Sequence, residues 1–434
     1  MWALLVLTIV ALAAWPTYVK RSEAAARAAA LPTMAPVTPD YEQRDKTVAF
    51  WEGMVRKRVH DDMLSPRQLA EQYLQRYREH GDIDDVLRAE RAARASLAAQ
   101  PRLNMAAELQ LASIDLTLHK FLAALLITKH VETYDKGDPA MLVREASLDL
   151  EIGAYDTARA RLDAVPLNKR DDGWRVVQSR DLELTGHLAE ARTLLATASA
   201  YQNAVFDFPA QQRAWYFFRQ GEMAFEAGDN DGAIAFEHKA LEVFPNFADA
   251  YRRLANFECA LKRWQACLDD ATASANIVPY PETLGYKADA QTALGDAAGA
   301  AQTNALIATI EKIGNTQRIS DRLLAIYYSE HHLHPADAYA IAKRELAVRD
   351  DIFTDDTLAW AAAMDGRWDE ARVAMIKAMR YHTENSLLLY HAGVIAEHFG
   401  RQAEAKADYD RALGINASFH PFYADDARAR LAKR

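Results

Sequence analysis

Histidines form the densest group of side chains with metal-ligand chemistry in this sequence, in the stretch HHLHP at His331, His332 and His334. Adjacent histidines on a regular backbone point in different directions, and no partner at i, i+4 completes a zinc site. The alternative is that these rings are solvated or cap a helix end. We therefore predict no metal site here, and we expect His391 to be a packed, hydrogen-bonded core histidine.

Other catalytic and ligand-binding patterns are absent or incomplete. The chain contains no G-x-S-x-G, H-E-x-x-H, G-x-x-x-x-G-K-[ST] or G-x-G-x-x-G motif. Residues 229–232 imitate the start of a calcium loop, but His238 stands where the loop needs a bidentate glutamate. We expect no catalytic residue and no cofactor. An enzyme with its site in an irregular insertion is the less favoured alternative.

The two cysteines, Cys259 and Cys267, are too few for a disulfide framework or a four-ligand zinc site. A bridge between them is conceivable if they lie on the two helices of one hairpin, but its geometry is demanding. We expect them to be small, buried, apolar residues instead.

Composition favours helices and a soluble, two-signed surface. Of 434 residues only 17 are Gly and 14 are Pro, while Ala, Leu, Arg and Glu are common. The net charge of −10 is spread over both signs without a concentrated basic face. This distribution argues against nucleic acid as a partner.

A column of small residues recurs along the chain. Its members are Ala124, Ala158, Ala191, Ala233, Cys267, Ala300, Ala338, Ala371 and Ala405, with Val86 in a weaker first copy. The successive steps from Ala124 onward are 34, 33, 42, 34, 33, 38, 33 and 34 residues. A period near 34 fits two helices and two short turns.

Each recurring position has a physical reason. Five residues before most column members stands Gly, which tolerates the left-handed backbone that ends a first helix and permits a tight return. The column residue lies where the two helices cross most closely, so a larger side chain would force them apart. Pro245 and Pro279 end second helices because proline lacks an amide donor.

These features resemble the tetratricopeptide repeat family, most clearly in ADAYRRLANFECALKRWQACLDDATASANIVP and AGVIAEHFGRQAEAKADYDRALGINA. The closing stretch is also similar to the C-terminal part of bacterial tetratricopeptide proteins of undefined biochemical role. The resemblance implies an all-α, right-handed superhelical solenoid of about ten antiparallel helix pairs. The steps of 42 and 38 imply insertions around residues 201–212 and 315–335.

The N-terminus carries a membrane or export signal. Residues 2–19 carry no charge, which reaches the lower limit for a bilayer-spanning helix. A retained anchor, a cleaved signal peptide and a wrongly assigned start codon all stay open. Lys20, Arg21 and Arg27 favour a cytoplasmic body by the positive-inside rule, whereas an extreme N-terminal apolar segment more often directs export, which we slightly favour.

The resulting domain prediction has five segments. They are a transmembrane anchor or signal at 1–19, an Ala/Pro-rich linker at 20–39, N-terminal helices with a weak repeat at 40–104, a repeat solenoid at 105–417, and a capping helix at 418–434. A solenoid needs such polar ends because its terminal repeats have no neighbour to cover them.

The family resemblance also indicates where a partner would bind. First helices line a concave groove in this family, and some members hold a peptide carboxylate with basic and Asn side chains. Arg252 and Asn256 match the first pair of such a clamp, but Tyr286, Asp289 and the later repeat do not complete it.

An aromatic group supplies a second candidate surface. The repeat register places Trp215, Phe218 and Phe225 toward the groove, where they could receive an apolar anchor of a peptide. The alternative is that the insertion folds over them as a local core.

The sequence therefore predicts a non-enzymatic scaffold or adaptor that binds a protein or peptide on its concave surface. A membrane-anchored assembly factor for one membrane complex is the alternative.

Overall fold

The computed structural model describes residues 39–57, 59–317 and 321–433. Within these ranges all regular structure is helical and no strand occurs, so the all-α prediction is confirmed. The predicted hydrophobic segment 1–19 and nearly all of the linker lie outside the described residues. None of the helices in the described part of the chain has both the length and the apolar character that a bilayer crossing requires.

Twenty-two α-helices follow one another through the described residues. In chain order they are α1 (Arg44–Arg56), α2 (Leu64–His80), α3 (Ile83–Ala99), α4 (Met105–Thr117), α5 (Phe121–Glu132), α6 (Pro139–Glu151), α7 (Tyr155–Ala164), α8 (Asp172–Leu184), α9 (Leu188–Asn203), α10 (Ala210–Glu226), α11 (Asn230–Val243), α12 (Ala248–Ala260), α13 (Trp264–Ile277), α14 (Pro281–Ala293), α15 (Ala297–Gln317), α16 (Asp321–Glu330), α17 (Pro335–Leu346), α18 (Ile352–Met364), α19 (Trp368–Ala378), α20 (Ser386–His398), α21 (Gln402–Ile415) and α22 (Tyr423–Ala432). Helices α2 to α21 form ten hairpin pairs, and α1 and α22 pack on the first and last of them.

The column of small residues lies at the crossing of the two helices in each pair. Ala124, Ala158, Ala233 and Ala405 have no exposed surface, and Cys267 is equally buried. Backbones can approach this closely only where the side chain between them is small. The small residues of the column therefore allow the close helix pairing that the period predicts.

The turn between the helices of a pair has a left-handed residue, as the sequence predicts. The backbone φ is positive at Gly81, Gly153, Gly186, Gly228, Gly295, Gly366 and Gly400. Lys262 takes the same position in its copy with φ of 59°, and His119 does so with φ of 57°. Non-glycine residues can thus close the same turn, although this conformation is unfavourable for them.

Successive turns of the superhelix contact each other directly. Loops that join one repeat to the next donate hydrogen bonds to backbone carbonyl groups at the ends of first helices far earlier in the chain. The bonds run from Asp350 N to Ile152 O (3.3 Å), from Thr383 Oγ1 to Leu184 O, from Asn416 Nδ2 to Phe225 O (2.8 Å) and from Asn246 Nδ2 to Glu79 O (3.4 Å).

These bonds satisfy groups that a helix cannot satisfy itself. The last carbonyl groups of an α-helix have no intrahelical partner, so they need a donor from elsewhere. The Tyr155 hydroxyl adds a contact of the same kind by accepting from Ile352 N at 3.0 Å, across 197 residues of sequence. The pair α6/α7, which contains Gly153 in its turn, and the pair α18/α19, which follows Asp350, are six repeats apart, and six repeats form one superhelical turn.

Gly153 shows how closely the two turns approach. A Cβ atom at this position would lie 2.0 Å from the carbonyl oxygen of Asp350 on the next turn. Gly366 has a similar φ of 75°, but a Cβ atom there would meet no atom within 4 Å. Gly153 therefore serves both the hairpin turn and the contact between superhelical turns, whereas Gly366 serves the hairpin turn alone.

This difference predicts unequal effects of the same substitution. Both Gly153→Ala and Gly366→Ala place a side chain in a left-handed conformation, which costs about 1 to 2 kcal/mol. We expect Gly153→Ala to lower the free energy of unfolding by about 1 to 3 kcal/mol more, because the methyl group overlaps the next turn. Urea unfolding followed by circular dichroism compares the two, and equal losses would contradict direct contact between the turns.

Candidate functional site

The first helices of successive repeats face an interior space, which we call the lumen. Its part around the middle repeats, the central cavity, has a volume of about 300 Å³. One wall comes from α8, α10, α12 and α14, and the opposite wall comes from α16, α18, α20 and the loop after α21. The concave surface of this chain is thus closed over by its own next superhelical turn.

A row of alternating charges, which we call the charge ladder, crosses the first wall. Three of its ion pairs link neighbouring first helices: Arg219 to Glu183 (2.7 Å), Arg253 to Glu222 (2.6 Å) and Arg252 to Glu282 (3.0 Å). A fourth, between Arg219 and Glu222, lies within α10. Burial opposes ionisation, but the charges of Arg253 and Arg219 lower the pKa of Glu222 to about 2. The ladder therefore stays charged at neutral pH and joins four repeats across the cavity wall.

Glu226 differs from the acids of the ladder. Burial, followed by the nearby charge of Glu183, raises the pKa of Glu226 to about 8. At pH 7 this carboxyl group is mostly protonated and can donate a hydrogen bond into the cavity. It lies on the same helix as Phe225, one residue further along.

On the opposite wall, a histidine is held by a hydrogen bond to an aspartate and by stacking on a tryptophan ring. His391 is 3% exposed, and its Nδ1 lies 2.9 Å from Asp356 Oδ1. Its ring stacks on Trp360 with centroids 4.1 Å apart. The hydrogen bond confirms the expected bonded core histidine, but His391 also lines the central cavity, and its Nε2 has no partner in the described part of the chain.

Arg322 on α16 is a second residue with an unpartnered polar atom in the cavity wall. It lines the central cavity, and its buried Nε has no hydrogen-bond partner among the described residues. Burial and then the charge of Arg349 lower the pKa of the guanidinium group. A buried donor without an acceptor is unfavourable, so an acceptor brought by a ligand would stabilise this wall.

The side chains of the predicted carboxylate clamp form hydrogen bonds with other residues of the protein. Asn256 Nδ2 donates to the Tyr286 hydroxyl at 2.8 Å, and that hydroxyl donates to Glu282 at 2.9 Å. Arg252 bonds Glu282 and Asp249. Both Arg252 and Asn256 line the central cavity. Their role in partner binding stays a prediction, because a partner can bind them only by replacing these internal hydrogen bonds.

The three predicted aromatic residues lie in different places. Phe225 lines the central cavity and stacks on Phe257 with centroids 4.4 Å apart. Phe218 is buried in the core between α10 and α11, beside Phe247. Trp215 is partly buried and packs against this core and the one formed with α9. Of the three, Phe225 is the one that faces the central cavity.

The HHLHP stretch forms a helix end and a turn. His331 Nε2 lies 3.1 Å from both carboxylate oxygens of Asp289, whereas His332 and His334 have left-handed backbones. Asp289 therefore pairs with a histidine of the next repeat. In the part of the chain that the structure describes, no group of His, Cys, Asp and Glu is arranged to hold a metal ion.

The expectation of two unbonded cysteines was wrong. Cys259 on α12 and Cys267 on α13 form a disulfide, with Cα atoms 5.2 Å apart and both side chains fully buried. Cys267 occupies the small-residue column, where paired helices cross most closely. The same close approach that selects alanine in other repeats brings these two sulfur atoms together.

Sequence patterns did not single out the charge ladder. Asp and Glu in an amphipathic helix usually lie on its solvated face, and Arg252 was the one member of the ladder predicted to line the groove. Arg219 and Arg253 share a repeat position, 14 residues before the small-residue column, but the acids of the ladder share none and so form no column in the sequence. The available signal was opposite charge on consecutive first helices, as in Glu183, Arg219 and Glu222.

Comparison with known proteins adds a fold-level likeness. No protein-family model and no curated protein sequence matches the chain. Among solved structures, PilW, a widely conserved type IV pilus biogenesis factor, is 16% identical over 48% of this chain and 93% of its own, with a TM-score of 0.40. Human IFIT1, solved as a dimer with PPP-AAAA, is 14% identical over 80% and 96%, with a TM-score of 0.41. A tetratricopeptide repeat protein from Parabacteroides merdae is 16% identical over 60% and 97%, with a TM-score of 0.32.

These scores are too low for any of the three structures to indicate a ligand. The assignment rests instead on the chain's own period, its buried small-residue column and its ten helix pairs. The chain is a tetratricopeptide-like helical repeat protein.

Glu237 is a buried acid behind the charge ladder. It has no exposed surface, and neither carboxylate oxygen has a partner among the described residues. Burial, with the nearby charge of Glu222, raises its pKa well above the usual value. The folded protein therefore keeps a proton on Glu237 that the unfolded chain releases.

Replacing Glu237 should change how stability depends on pH. A raised pKa in the folded state makes stability fall as pH rises above the unfolded value near 4.5, by about 1.4 kcal/mol per pH unit until the folded pKa is reached. We expect Glu237→Gln to melt at a higher temperature than the wild type at pH 8, with the advantage shrinking toward pH 5. Glu242→Gln, at an exposed position of the same helix, is the control, and equal behaviour of the two variants would contradict the assignment.

Proposed function

We propose that this chain is a non-enzymatic binding protein that holds a segment of a protein or peptide partner in the central cavity. The observation that carries the proposal is a pair of buried nitrogen atoms on the cavity wall, His391 Nε2 and Arg322 Nε, with no partner in the described residues. Arg322 Nε–H is a donor, whereas His391 Nδ1–H donates to Asp356 Oδ1, which leaves Nε2 of the neutral ring as an acceptor. Leaving such groups unsatisfied is unfavourable, and a ligand that brings both an acceptor and a donor would remove that penalty.

The chemistry of the walls indicates what the partner presents. Peptide carbonyl groups or a carboxylate accept from Arg322 Nε–H and from the protonated Glu226, and a peptide N–H donates to His391 Nε2. Phe225, Trp360 and Phe419 supply apolar surface around them. A volume of about 300 Å³ accommodates a short segment and no folded domain.

We further propose that the body lies outside the cytoplasm, tethered or exported by the segment at 1–19. The disulfide between Cys259 and Cys267 supports this location, because disulfides persist in oxidising compartments and are rare in the cytosol. An anchored assembly factor for one membrane complex is a narrower form of the same proposal.

Peptide selection on the immobilised full-length protein tests the binding proposal. We expect selected peptides to bind with affinities that His391→Gln and Arg322→Gln each reduce about tenfold, since a charged or buried hydrogen bond is lost in each case. Arg401→Gln is the control, because Arg401 is exposed on the outer surface. Fluorescence anisotropy of labelled peptides gives the affinities.

Two results would contradict the proposal. One is a folded wild-type protein that enriches no peptide. The other is a set of peptides that bind both lumen variants as tightly as the wild type and the control.

A further inference from the structure

A second cavity lies at the N-terminal end of the lumen, and we call it the N-terminal cavity. It has a volume of about 350 Å³. Side chains of the first helices α2, α4 and α6 line it, and the residues before and in α1 and the start of α10 close it. It shares no lining residue with the central cavity.

Two arginines in this cavity have no carboxylate partner. Arg144 Nη1 donates to Ser113 Oγ at 3.1 Å and to the Leu109 carbonyl oxygen at 3.4 Å, and Arg78 Nη1 donates to Gln75 Oε1 at 3.3 Å. Among the described residues neither guanidinium group forms an ion pair. The arginines of the charge ladder all do.

The other charges around the N-terminal cavity are accounted for. Arg44 pairs with Asp40 and with the buried Glu79 (2.8 Å). Glu71 is exposed and is the remaining carboxylate on the cavity wall. Burial lowers the pKa of Arg144. The Arg78 side chain is exposed at the surface; desolvation lowers the pKa of its guanidinium group, the charge of Glu71 opposes this change, and the charge of Arg144 adds to it. An anion between the two arginines would relieve both effects.

The rest of the wall is rich in amide and hydroxyl groups. They belong to Gln72, Gln75, Gln110, Gln212 and Ser113. Gln110 Nε2 donates to the Arg67 carbonyl oxygen at 3.1 Å, but its buried Oε1 has no partner among the described residues. This oxygen is an acceptor, so a ligand that fits the cavity needs a hydrogen-bond donor in addition to its negative charge.

From this arrangement we propose that the N-terminal cavity binds a small phosphomonoester with a hydroxyl-bearing organic part, as in a sugar phosphate. Two guanidinium groups match a phosphate dianion in charge and geometry better than they match a single carboxylate. A hydroxyl group of the ligand donates to Gln110 Oε1. The volume exceeds what a lone phosphate ion fills and lies in the range of small-molecule sites.

Isothermal titration of the full-length protein with glucose 6-phosphate tests this proposal. Glucose and inorganic phosphate are titrated in parallel, in a buffer free of other phosphate. We expect saturable binding of glucose 6-phosphate, weaker binding of inorganic phosphate and none of glucose. Arg78→Gln and Arg144→Gln should each weaken the binding at least about tenfold, because a charge-assisted hydrogen bond is lost.

Two further variants separate this site from its surroundings. Glu71→Gln should strengthen the binding, since it removes the exposed carboxylate that faces the ligand. Arg322→Gln should leave the affinity for glucose 6-phosphate unchanged, because Arg322 lines the central cavity and not the N-terminal cavity. Under the proposed function, Arg322→Gln weakens the binding of peptides to the central cavity. The peptide proposal and the sugar-phosphate proposal can therefore fail independently.

Three outcomes would overturn the proposal. They are no saturable binding to the folded wild type, unchanged affinity in Arg78→Gln, and inorganic phosphate binding as tightly as the sugar phosphate. Circular dichroism melts verify folding of each variant. Arg78→Gln keeps the test valid if Arg144→Gln does not fold, because Arg78 has fewer contacts within the protein.

Discussion

The contact between superhelical turns depends on hydrogen bonds to backbone carbonyl groups at the ends of first helices. Helix ends always leave such groups without an intrahelical partner. Here the loops of the next superhelical turn supply the donors, as Asn416 does for Phe225 and Asp350 does for Ile152. The superhelix is therefore closed along its length, and contacts between turns add to the nearest-neighbour contacts that usually stabilise a solenoid.

Because successive turns contact each other, the concave surface of the superhelix faces an interior space. Charges that would be solvated on an open groove are brought into the protein, and most of them become paired, as in the ladder from Glu183 to Glu282. Such pairs contribute little net stability after desolvation, but breaking one leaves a buried charge. The buried nitrogen atoms that have no partner among the described residues, His391 Nε2 and Arg322 Nε, are consequently the informative ones.

Much of the local architecture could be predicted from the sequence, because each local feature repeats. Gly228 and Ala233 predicted a left-handed turn and a helix crossing, and both are present. Contacts between turns could not be predicted. Gly153 is already explained locally, as a glycine that ends a helix, and its spatial neighbour Asp350 lies 197 residues away in the sequence. Phe225, Arg252 and Asn256 were expected in a groove and do line the central cavity. The pairing of Arg252 with Glu282 could not be predicted, because it depends on which helices become neighbours.

Zero-length cross-linking with a carbodiimide tests the closure of the superhelix most directly. Lys262 Nζ and the Asp425 carboxylate form an ion pair between turns, 163 residues apart, and both side chains are accessible. Lys406 and Asp410, 2.6 Å apart on one helix, provide the internal control. The account predicts that mass spectrometry detects an amide between Lys262 and Asp425 alongside the control product. Formation of the control product without the Lys262–Asp425 product would contradict it.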